Sequence, residues 1–316
     1  MPKKNKIIAI AGNPNCGKTV IFNRLTGSRQ KVGNWAGVTV EQKSGYFSLE
    51  GHDYEIVDLP GTYSLSVIGD NCAIDECIAC NYLITNPPDL VINVVDASNL
   101  ERQLYLTAQL LEMQIPVVVA LNMMDMAKRR GIHIDIAQLS RSLHCPIISL
   151  TAIHGFGIAE LRRALLVIPQ TNSTLPYSFA PLLQGALQTL TEKLAPKNLP
   201  RPWLALRLLE EDRLARHYTS AEELSHVTVL IQQLKNQCGE EIDLLIADAR
   251  YRWIQSILKP SLVVNPQGKT FTSRLDRIVL NRYLGIPIFL LFMYTLFLFA
   301  INVGGAFQDF FDIGST

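Results

Sequence analysis

An α/β fold with a mainly parallel sheet is predicted for the first half of this chain of 316 residues. Apolar runs that end in turn or polar residues alternate with segments of helical periodicity, such as LYLTAQLLEM at residues 104–113. Runs that are apolar throughout are typical of strands in a parallel sheet that helices cover on both faces. The runs are IIAIAG, YEIVDLPG, LVINVVDA, VVVALNMMD and CPIISLTA.

A small all-helical domain is predicted to follow. From about residue 171 the chain shows no strand-like alternation, and the leucine-rich stretches PLLQGALQTLTEKL, LALRLLEEDRLARH and SHVTVLIQQLKNQ have helical spacing. We therefore place the α/β domain at residues 1–169, the helical domain at residues 170–260 and a linker at residues 261–283. Prolines punctuate the helical segment at positions 176, 181, 196, 200 and 202.

A first transmembrane helix is predicted at residues 284–307, about two dozen residues without a charged side chain. This length is enough for a helix to cross the hydrocarbon core of a bilayer. A buried core helix is the alternative, but Phe and Leu on every face of the segment disfavour it. Arg274, Arg277 and Arg282 precede the segment, which predicts that the domains before it face the cytoplasm.

Composition narrows the function classes. The net charge of +1 gives no electrostatic reason to expect nucleic acid as a partner, since a nucleic-acid-binding domain carries a clear excess of Lys and Arg. Six scattered cysteines are too few for a disulfide framework in a chain of this length, which favours a reducing, cytoplasmic setting. The basic start MPKKNK leads directly into a short apolar strand, so we do not interpret it as a signal peptide.

The stretch GNPNCGKT at residues 12–19 predicts a phosphate-binding loop. It follows an apolar strand and precedes a helix, which is the context that the motif requires. Lys18 is expected to neutralise the β and γ phosphates, and Thr19 is expected to bind magnesium. A glycine turn that binds nothing is the alternative interpretation. The predicted nucleotide-contacting residues of this loop are Gly12, Asn13, Asn15, Cys16, Gly17, Lys18, Thr19 and Val20.

The tetrapeptide NMMD predicts that the bound base is guanine. Asp125 can accept two hydrogen bonds from the ring N–H and exocyclic amine of guanine, and Asn122 can donate to N7. Adenine lacks this pair of donors and would leave a buried carboxylate unpaired. Met123, which lies between these two residues, is also a predicted nucleotide-contacting residue. The stretch stands at the end of a buried strand, where ligands bind in open parallel sheets.

The stretch DLPG predicts a nucleotide-sensing switch. Asp58 ends a strand and is expected to reach magnesium through a water molecule, while the Gly61 amide is expected to bond the γ-phosphate. Thr39, with Gly37 and Val38 before it, is the candidate switch threonine whose hydroxyl reaches the metal only when the triphosphate is bound. An ordinary β-branched strand residue is the alternative for Thr39.

A fifth element is predicted in SLTAIHG, where Thr151 and Ala152 would present a backbone amide to the guanine oxygen. This is the weakest of the five signals, the other four being the phosphate loop, NMMD, DLPG and Thr39. Lys18, Thr39 and Gly61 are the residues that we expect to act in catalysis.

These stretches together resemble Ras-like P-loop GTPases of the translation-factor type. GNPNCGKT, VGNWAGVTVEQKSG, DLPGTYSLS, DASNLERQLYLTAQLLE and NMMDMAKRRG are in particular similar to the N-terminal part of the ferrous iron transport protein B (FeoB) family. The stretch RLDRIVLNRYLGIPIFLLFMY resembles that family's entry into its first membrane span.

The resemblance implies that GTP binding regulates or drives ferrous iron uptake through a membrane permease domain, most of which this chain lacks. GTP or GDP and Mg²⁺ are the implied cofactors, and the implied location is the inner (plasma) membrane with this region facing the cytoplasm. The permease domain, a small cytoplasmic accessory protein and further copies of the chain are the implied partners, and nucleic acid is not among them.

Asn15 raises the question of a second metal. In FeoB and similar potassium-dependent GTPases, an asparagine at this position helps to hold a monovalent cation against the phosphates, together with backbone carbonyls of the first switch. Ala36 stands where the family often has proline, a departure that bears on that carbonyl geometry. Thr62 and Tyr63 follow Gly61 where Ras-like enzymes have a water-orienting glutamine, which predicts slow intrinsic hydrolysis. A loop-shaping role is the alternative for Asn15.

Cysteine and histidine residues give weaker signals. Cys77 and Cys80 have helical spacing and lie near Cys72, which could point two thiolates at one metal, but core packing explains them more simply. Two other function classes stay open: a soluble GTPase of ribosome assembly or RNA modification, and a non-hydrolysing GTP sensor. The first predicts a basic RNA-binding module, which residues 171–258 do not supply.

Overall fold

The computed structural model describes residues 6–27, 30–68, 73–171, 174–264, 279, 281 and 283–314, without the side chains of residues 264 and 302–314. It divides into two compact units, Met1–Asn265 and Pro266–Thr316. The strands are β1 Lys6–Gly12, β2 Gln30–Asn34, β3 Glu41–Leu49, β4 His52–Asp58, β5 Leu90–Asp96, β6 Val117–Asn122, β7 Ile132–Ile134, β8 Ile147–Ser149 and β9 Leu262–Val264. The helices are α1 Lys18–Thr26, α2 Ile74–Thr85, α3 Leu100–Glu112, α4 Met124–Arg129, α5 Ile136–Leu143, α6 Ile158–Ala164, α7 Pro181–Lys193, α8 Arg201–Leu209, α9 Arg213–His217, α10 Ala221–Cys238, α11 Ile242–Ser261 and α12 Gly285–Gly314.

The first unit is built on a seven-stranded sheet with the strand order β2-β3-β4-β1-β5-β6-β8. β1 pairs in parallel with β4 and β5, and the parallel ladder continues through β6 to β8. β3 is antiparallel to both β2 and β4. The prediction of an α/β fold with a mainly parallel sheet is therefore confirmed.

The strands of the sheet's centre are buried on both faces, as their continuous apolar runs predicted. Ile8 and Ile10 belong to the apolar cluster on one face of β1, and Ala9 and Ala11 to the cluster on the other. The parallel register pairs Ile10 with Asp58 of β4 and Gly12 with Val94 of β5. The polar residues that end β1, β4 and β6 consequently share one edge of the sheet, where ligands bind in such folds.

Helices α7 to α11 occupy the region that the sequence predicts to be all-helical. Pro181 and Pro202 stand in the first turns of α7 and α8, where a missing N–H does not interrupt a hydrogen bond. Ser220 and Glu223 form a reciprocal capping box at the start of α10. Residues 203–209 of α8 are all buried, so this helix lies in the interior of the unit.

The predicted linker begins too early. α11 continues to Ser261, and the next three residues form β9, which is antiparallel to β7 with Ile132 opposite Val264. The Asp135 N–H also donates to the Ser261 carbonyl over 2.8 Å. The end of the helical region is thus bound to the α/β part of the chain, whereas most of the predicted linker, with Arg274, Arg277 and Arg282, lies outside the described residues.

The second unit contains α12. The predicted span at residues 284–307 begins one residue before this helix and runs past Ile301, the last residue of the helix whose side chain is described. Within the described residues, no helix combines the length and the apolar character that a membrane crossing requires. The structure therefore offers no span in support of that prediction.

Candidate functional site

Glycines shape the loop between β1 and α1 because its backbone passes close to neighbouring atoms. A Cβ at Gly12 would lie 2.5 Å from the Val94 carbonyl oxygen and 2.8 Å from the Cys16 Sγ. Gly17, the residue before α1, has φ of 95°, and a Cβ there would overlap the Asn122 side-chain amide. Any other residue at either position would displace the loop.

The two asparagines of this loop have opposite environments. Asn15 is exposed and has φ of 65°, a left-handed conformation that asparagine tolerates better than most residues. Asn13 is buried, and neither its Oδ1 nor its Nδ2 has a hydrogen-bond partner.

The other predicted residues of this loop also differ in exposure. Thr19 and Val20 are exposed in the first turn of α1, while Cys16 is buried and burial raises the pKa of its thiol to about 11. Cys16 is accordingly a packing residue of the loop.

Asp58 and Gly61 lie beside the phosphate loop. Burial raises the pKa of Asp58 to about 6, although the positive charges of Lys18 and Lys43 oppose that shift. The Asp58 Oδ1 is buried without a partner. A Cβ at Gly61 would lie 2.9 Å from the Lys18 Nζ, and the Thr62 N–H donates to the Gly12 carbonyl over 3.3 Å. The DLPG segment and the phosphate loop are therefore in direct contact.

Asn122 joins three segments through its side chain and backbone. Its Nδ2 donates to the Cys16 carbonyl over 2.9 Å, and its Oδ1 accepts from the Ala152 N–H over 3.0 Å. Its carbonyl accepts from the Ala97 N–H over 2.9 Å. One hydrogen of the Asn122 amide is thus committed to the phosphate loop, which is a structural role that the sequence did not predict.

Met123 and Asp125 stand where β6 passes into α4. Met123 has φ of 60°, and this left-handed residue turns the chain so that Asp125 lies in the first turn of the helix. Asp125 is half-buried. The Met124 N–H donates to the Leu150 carbonyl over 3.2 Å, which fixes the start of α4 against the loop that follows β8.

The amides of Thr151 and Ala152 are already engaged within the protein. The Thr151 N–H donates to the Phe156 carbonyl over 3.2 Å, and the Ala152 N–H donates to Asn122. Their predicted bond to a guanine oxygen therefore requires one of these bonds to be exchanged. Gly157, with φ of 83°, closes this loop against the Ser149 carbonyl, where a side chain would not fit.

The predicted first switch forms a hairpin between β2 and β3. The Trp35 N–H donates to the Val40 carbonyl over 2.9 Å, and Gly37 has φ of 77° in the turn. Trp35 is buried and packs edge-to-face on Tyr82 with 5.3 Å between the ring centroids. Thr39 is exposed in this turn, and Gly37, Val38 and Thr39 make no hydrogen bond to the phosphate loop among the described residues. The structure brings together the other predicted segments but not this one.

Comparisons with known proteins assign a family to both regions of the first unit. The family model described as "Ferrous iron transport protein B" matches residues 6–165, and the model of the "FeoB cytosolic helical domain" matches residues 179–263. The chain belongs to the FeoB family. Its resemblance to that family, stated above from the motifs, is confirmed.

The relatives of this FeoB chain include the Fe(2+) transporter FeoB of Escherichia coli K12, which is 49% identical over 99% of this chain and 41% of the relative. The Salmonella typhimurium protein of the same name is 47% identical over the same shares. The chain thus spans about two fifths of the length of the curated relatives that it matches.

Solved structures show the same fold. The cytosolic domain of L. pneumophila FeoB superposes with a TM-score of 0.70 and 41% identity, covering 82% of this chain and 100% of that chain. An S. thermophilus NFeoB mutant bound to GDP superposes with a TM-score of 0.74 and 34% identity over the same shares. The Ras-like G domain followed by a helical domain is confirmed.

The residues at the phosphate loop of this FeoB chain fit a divalent cation. The Asp58 carboxylate has a buried oxygen without a partner, and the exposed Thr19 hydroxyl lies in the first turn of the helix that the loop caps. Oxygen donors of this kind are the ligands that Mg²⁺ takes in nucleotide-binding sites.

Cysteines and histidines do not form a metal site within the described part of the FeoB chain, where no cluster of three or more potential ligands occurs. Cys80 is buried and burial raises the pKa of its thiol to about 12, in agreement with core packing. Cys77 is disulfide-bonded, which the expectation of a reducing environment did not include. Cys72 lies outside the described residues.

Sequence reasoning missed the residues that hold the segment after Gly61. Gln109 of α3 and Arg207 of α8 both contact Ser66, and Asp212 accepts from the Val67 N–H over 2.9 Å. No motif marks these residues, because their role depends on contacts between parts of the chain that are more than 40 positions apart. Of the three, only Asp212 lies in a cluster of charged residues, LLEEDRLAR, that could have pointed to it.

Proposed function

We propose that this chain binds GTP and hydrolyses it slowly as the nucleotide-binding part of a ferrous iron transporter. The observation that carries the proposal is the pair of Asn122 side-chain bonds, which unite the phosphate loop with the loop after β8. The phosphate-binding and base-recognising segments are therefore preformed as one site. The GDP bound to the similar S. thermophilus protein supports a guanine nucleotide as the ligand.

Base selection falls to Asp125. Its half-buried carboxylate accepts from the two N–H donors of guanine, whereas adenine would leave it without partners and pay the cost of an unmatched polar group. Met123 sets the backbone turn that places Asp125 in the first turn of α4. We assign the phosphates to the amides of residues 12–19 and to Lys18, at the N-terminus of α1.

Thr19 and Asp58 would hold Mg²⁺ in this site, with Asp58 acting through water and Thr39 joining them in the triphosphate state. The ion supplies neutralisation of the charge that accumulates on the phosphates during transfer. Burial of Asp58 makes its charged form costly in the free protein, and a cation beside the carboxylate would offset that cost.

We expect hydrolysis to be slow because of the residue that follows Gly61. In Ras-like enzymes a glutamine at this position orients the attacking water. Here Thr62 is buried, and its hydroxyl donates to the Ser64 carbonyl over 2.5 Å, so it is turned away from the phosphates. Lys18, Gly61 and Asn15 remain to stabilise the developing charge, with Thr39 once the triphosphate orders it. We assign Asn15 the additional task of holding K⁺, because its side chain is exposed in the phosphate loop.

The transport function rests on family membership. The relatives are named Fe(2+) transporters, and this chain covers about 41% of their length. We infer that GTP binding here regulates or drives ferrous iron uptake by a permease domain in the same complete protein, which lies in the plasma membrane with this region in the cytoplasm. A small cytoplasmic accessory protein and further copies of the chain are the other proposed partners.

One experiment tests both halves of the proposal. GTP turnover by the purified chain and ferrous iron uptake by cells carrying the complete protein are measured for the wild type, Lys18→Ala and the control Lys193→Ala. We expect Lys18→Ala to abolish turnover and uptake, and Lys193→Ala, at an exposed position in the last turn of α7, to change neither. Nucleotide binding without turnover in the wild type would identify a sensor, and uptake unaffected by Lys18→Ala would separate GTP from transport.

A further inference from the structure

Four basic residues are exposed around the ribbon of β7 and β9. Arg129 and Arg130 are exposed where α4 ends, His133 is exposed on β7, and Lys259 is exposed in the last turn of α11. None of the four takes part in an ion pair with another residue that the structure describes. We call these four residues the basic surface.

The fold brings the basic surface together from distant parts of the chain. The Arg130 Nη1 donates to the Ser98 carbonyl over 3.3 Å. Both sequence neighbours of Ser98 line a cavity of about 480 Å³, which Ile132 of β7 and Lys259 of α11 also line. Arg130 and Lys259 therefore border the same cavity, one from the G domain and the other from the helical region.

The ribbon adds an exposed aliphatic side chain to these charges. His133 lies opposite Val263 in the antiparallel register, and both side chains are exposed, whereas Ile132, Ile134 and Leu262 pack against the core. Because side chains alternate between the faces of a strand, His133 and Val263 share the outer face of the ribbon. Cationic side chains next to an exposed apolar one suit the boundary between lipid headgroups and acyl chains.

Nearby acidic residues balance the positive charge only in part. Glu101 lines the same cavity and accepts from the Gln255 Nε2 over 2.9 Å. Asp135 follows β7 and caps α5, where its Oδ1 accepts from the Gln138 N–H over 2.9 Å. Lys128, also exposed in the last turn of α4, adds to the positive side. An anionic partner consequently meets more cations than anions here.

The chain leaves the first unit directly after this ribbon. β9 ends at Val264, and residues 265–283 connect it to the uncharged apolar stretch that begins at residue 284. A connector of this length reaches at most about 65 Å when fully extended. At the plasma membrane proposed above, lipid headgroups stay within that reach of the ribbon, so contacts that are individually weak suffice for docking.

We propose that the basic surface docks on anionic phospholipid headgroups of the membrane that holds the complete protein. Arginine and lysine side chains bind the lipid phosphates through charge-assisted hydrogen bonds, and Val263 enters the boundary between headgroups and acyl chains. Docking holds the end of α4 and the end of α11 against the membrane. The inference rests on the membrane location proposed above, but on neither GTP turnover nor iron transport.

The test follows amide hydrogen exchange of the whole 316-residue chain mixed with vesicles. One set of vesicles is phosphatidylcholine alone, and the other contains phosphatidylcholine and phosphatidylglycerol in equal parts. We expect the anionic vesicles to slow exchange of residues 128–134 and 259–264 by about fivefold or more relative to the neutral ones. High salt should remove this difference, because it screens the attraction.

Two double variants remove the charges. Arg129→Glu combined with Lys259→Glu should abolish the difference between the vesicles, and Arg129→Gln combined with Lys259→Gln should reduce it to about twofold or less. The glutamine pair keeps the test valid should charge reversal disturb folding. The matched control is Lys193→Glu combined with Arg201→Glu, which changes the net charge as much as the first pair, at exposed positions of α7 and α8. It should retain the full difference.

Equal exchange in the two kinds of vesicle would overturn the inference, and it is also the result expected if the surface serves an acidic protein instead of lipid. Protection that persists in high salt, or that the control variant loses, would overturn it as well. Failure of the chain to associate with either kind of vesicle has the same meaning, since a basic surface attracts anionic lipid without other help. The proposed function is judged separately, because a chain that binds no GTP would refute that proposal and leave the vesicle result standing.

Discussion

At the scale of single residues, the site depends on side chains whose surroundings differ sharply from water. Asp58 is the clearest case, because burial raises its pKa from 3.8 to about 6 while its Oδ1 remains without a partner. A carboxylate kept in this state lowers the stability of the free protein and favours the binding of a cation. Stability and function are opposed at this position.

Replacing Asp58 with Asn should therefore stabilise the nucleotide-free and metal-free protein at pH 7. The folded state holds the Asp58 proton more tightly than the unfolded state, so between about pH 4 and 6 the wild type loses stability as the pH rises through the folded pKa. We expect Asp58→Asn to be more stable by about 1–3 kcal/mol above pH 7 and by little at pH 4. Urea unfolding at the two pH values measures this difference.

The control for this experiment is Asp53→Asn on the same strand, since Asp53 is exposed and bonded to the Ser48 hydroxyl. Its effect should stay small at both pH values. A stability gain of Asp58→Asn that is the same at pH 4 and pH 7 would show that ionisation of this carboxylate is not the cause.

Asp125 should determine which base is bound. Asp125→Asn exchanges one acceptor for a donor, so it should abolish GTP binding at micromolar concentration and permit binding of xanthosine triphosphate, whose ring edge has the complementary pattern. Competition between the two triphosphates for a fluorescent GDP measures the change. Unaltered GTP affinity in this variant would place base recognition elsewhere.

Asn15 should determine the response to monovalent cations. If its exposed side chain helps to hold K⁺, hydrolysis should be faster in potassium than in sodium at equal ionic strength, because the smaller sodium ion fits such an oxygen shell poorly. Asn15→Ala should remove that difference and spare GDP binding, since the interaction forms mainly in the transition state. Equal wild-type rates in the two salts would exclude cation activation, and Ala36, exposed in the hairpin turn, would be the first residue to examine.

At the scale of secondary-structure elements, the sequence predicts what is locally determined. β1, β5 and β6 are buried on both faces, and their apolar runs predict them directly. β2 has no such signal because four of its five residues are exposed, and β7 and β9 are three residues each. The pairing of β7 with β9 joins positions about 130 residues apart, so no local pattern could have indicated it.

The residues of the site likewise divide into those that a local sequence pattern predicts and those that depend on contacts between distant segments. The phosphate loop, the DLPG segment and NMMD follow strands, so their convergence at one edge of the sheet could be predicted from the topology. The hydrogen bond between Asn122 and Ala152 could not be predicted, because it depends on the conformation of the loop after β8. Gln109 and Arg207 also escaped prediction, since only the packing of α3 and α8 against residues 64–67 gives them a role.

The hairpin of β2 and β3 leads to a prediction about the first switch. Thr39 is exposed in the turn of this hairpin and contacts the metal only if the turn is rebuilt on triphosphate binding. Thr39→Ala should therefore leave GDP affinity nearly intact and weaken the protection that a GTP analogue gives to residues 33–39. Hydrogen exchange of these residues in the two nucleotide complexes measures the effect, and equal losses for both nucleotides would assign Thr39 a merely structural role.

At the scale of the whole molecule, the G domain and the helical region form a single compact unit with a buried ionic network at its centre. Arg250 of α11 pairs with Glu112 of α3 over 2.6 Å and with Glu210 over 2.5 Å, and Glu112 also accepts from the Tyr177 hydroxyl. Although burial opposes ionisation, the guanidinium groups of Arg250 and Arg207 hold the pKa of Glu210 below its usual value. The G domain and the helical region are thus joined by a network of ion pairs. Separating these ion pairs would leave a charged side chain buried without a partner.

This network predicts that the two regions unfold together. Arg250→Met removes the cation that Glu112 and Glu210 share, which leaves the buried Glu112 carboxylate without a cation and Glu210 with Arg207 alone, so we expect a loss of about 3–5 kcal/mol in the free energy of unfolding. The loss should appear as one cooperative transition at lower denaturant concentration, followed both by the fluorescence of Trp203, with Trp35 and Trp253 replaced by Phe in every protein compared, and by the fluorescence of a bound guanine nucleotide. Arg252→Met is the control, because Arg252 lies on the same helix but pairs with Asp248 at the exposed surface and should change stability by less than about 0.5 kcal/mol. Two separate transitions in the wild type, or equal effects of the two substitutions, would show that the buried network does not couple the G domain to the helical region.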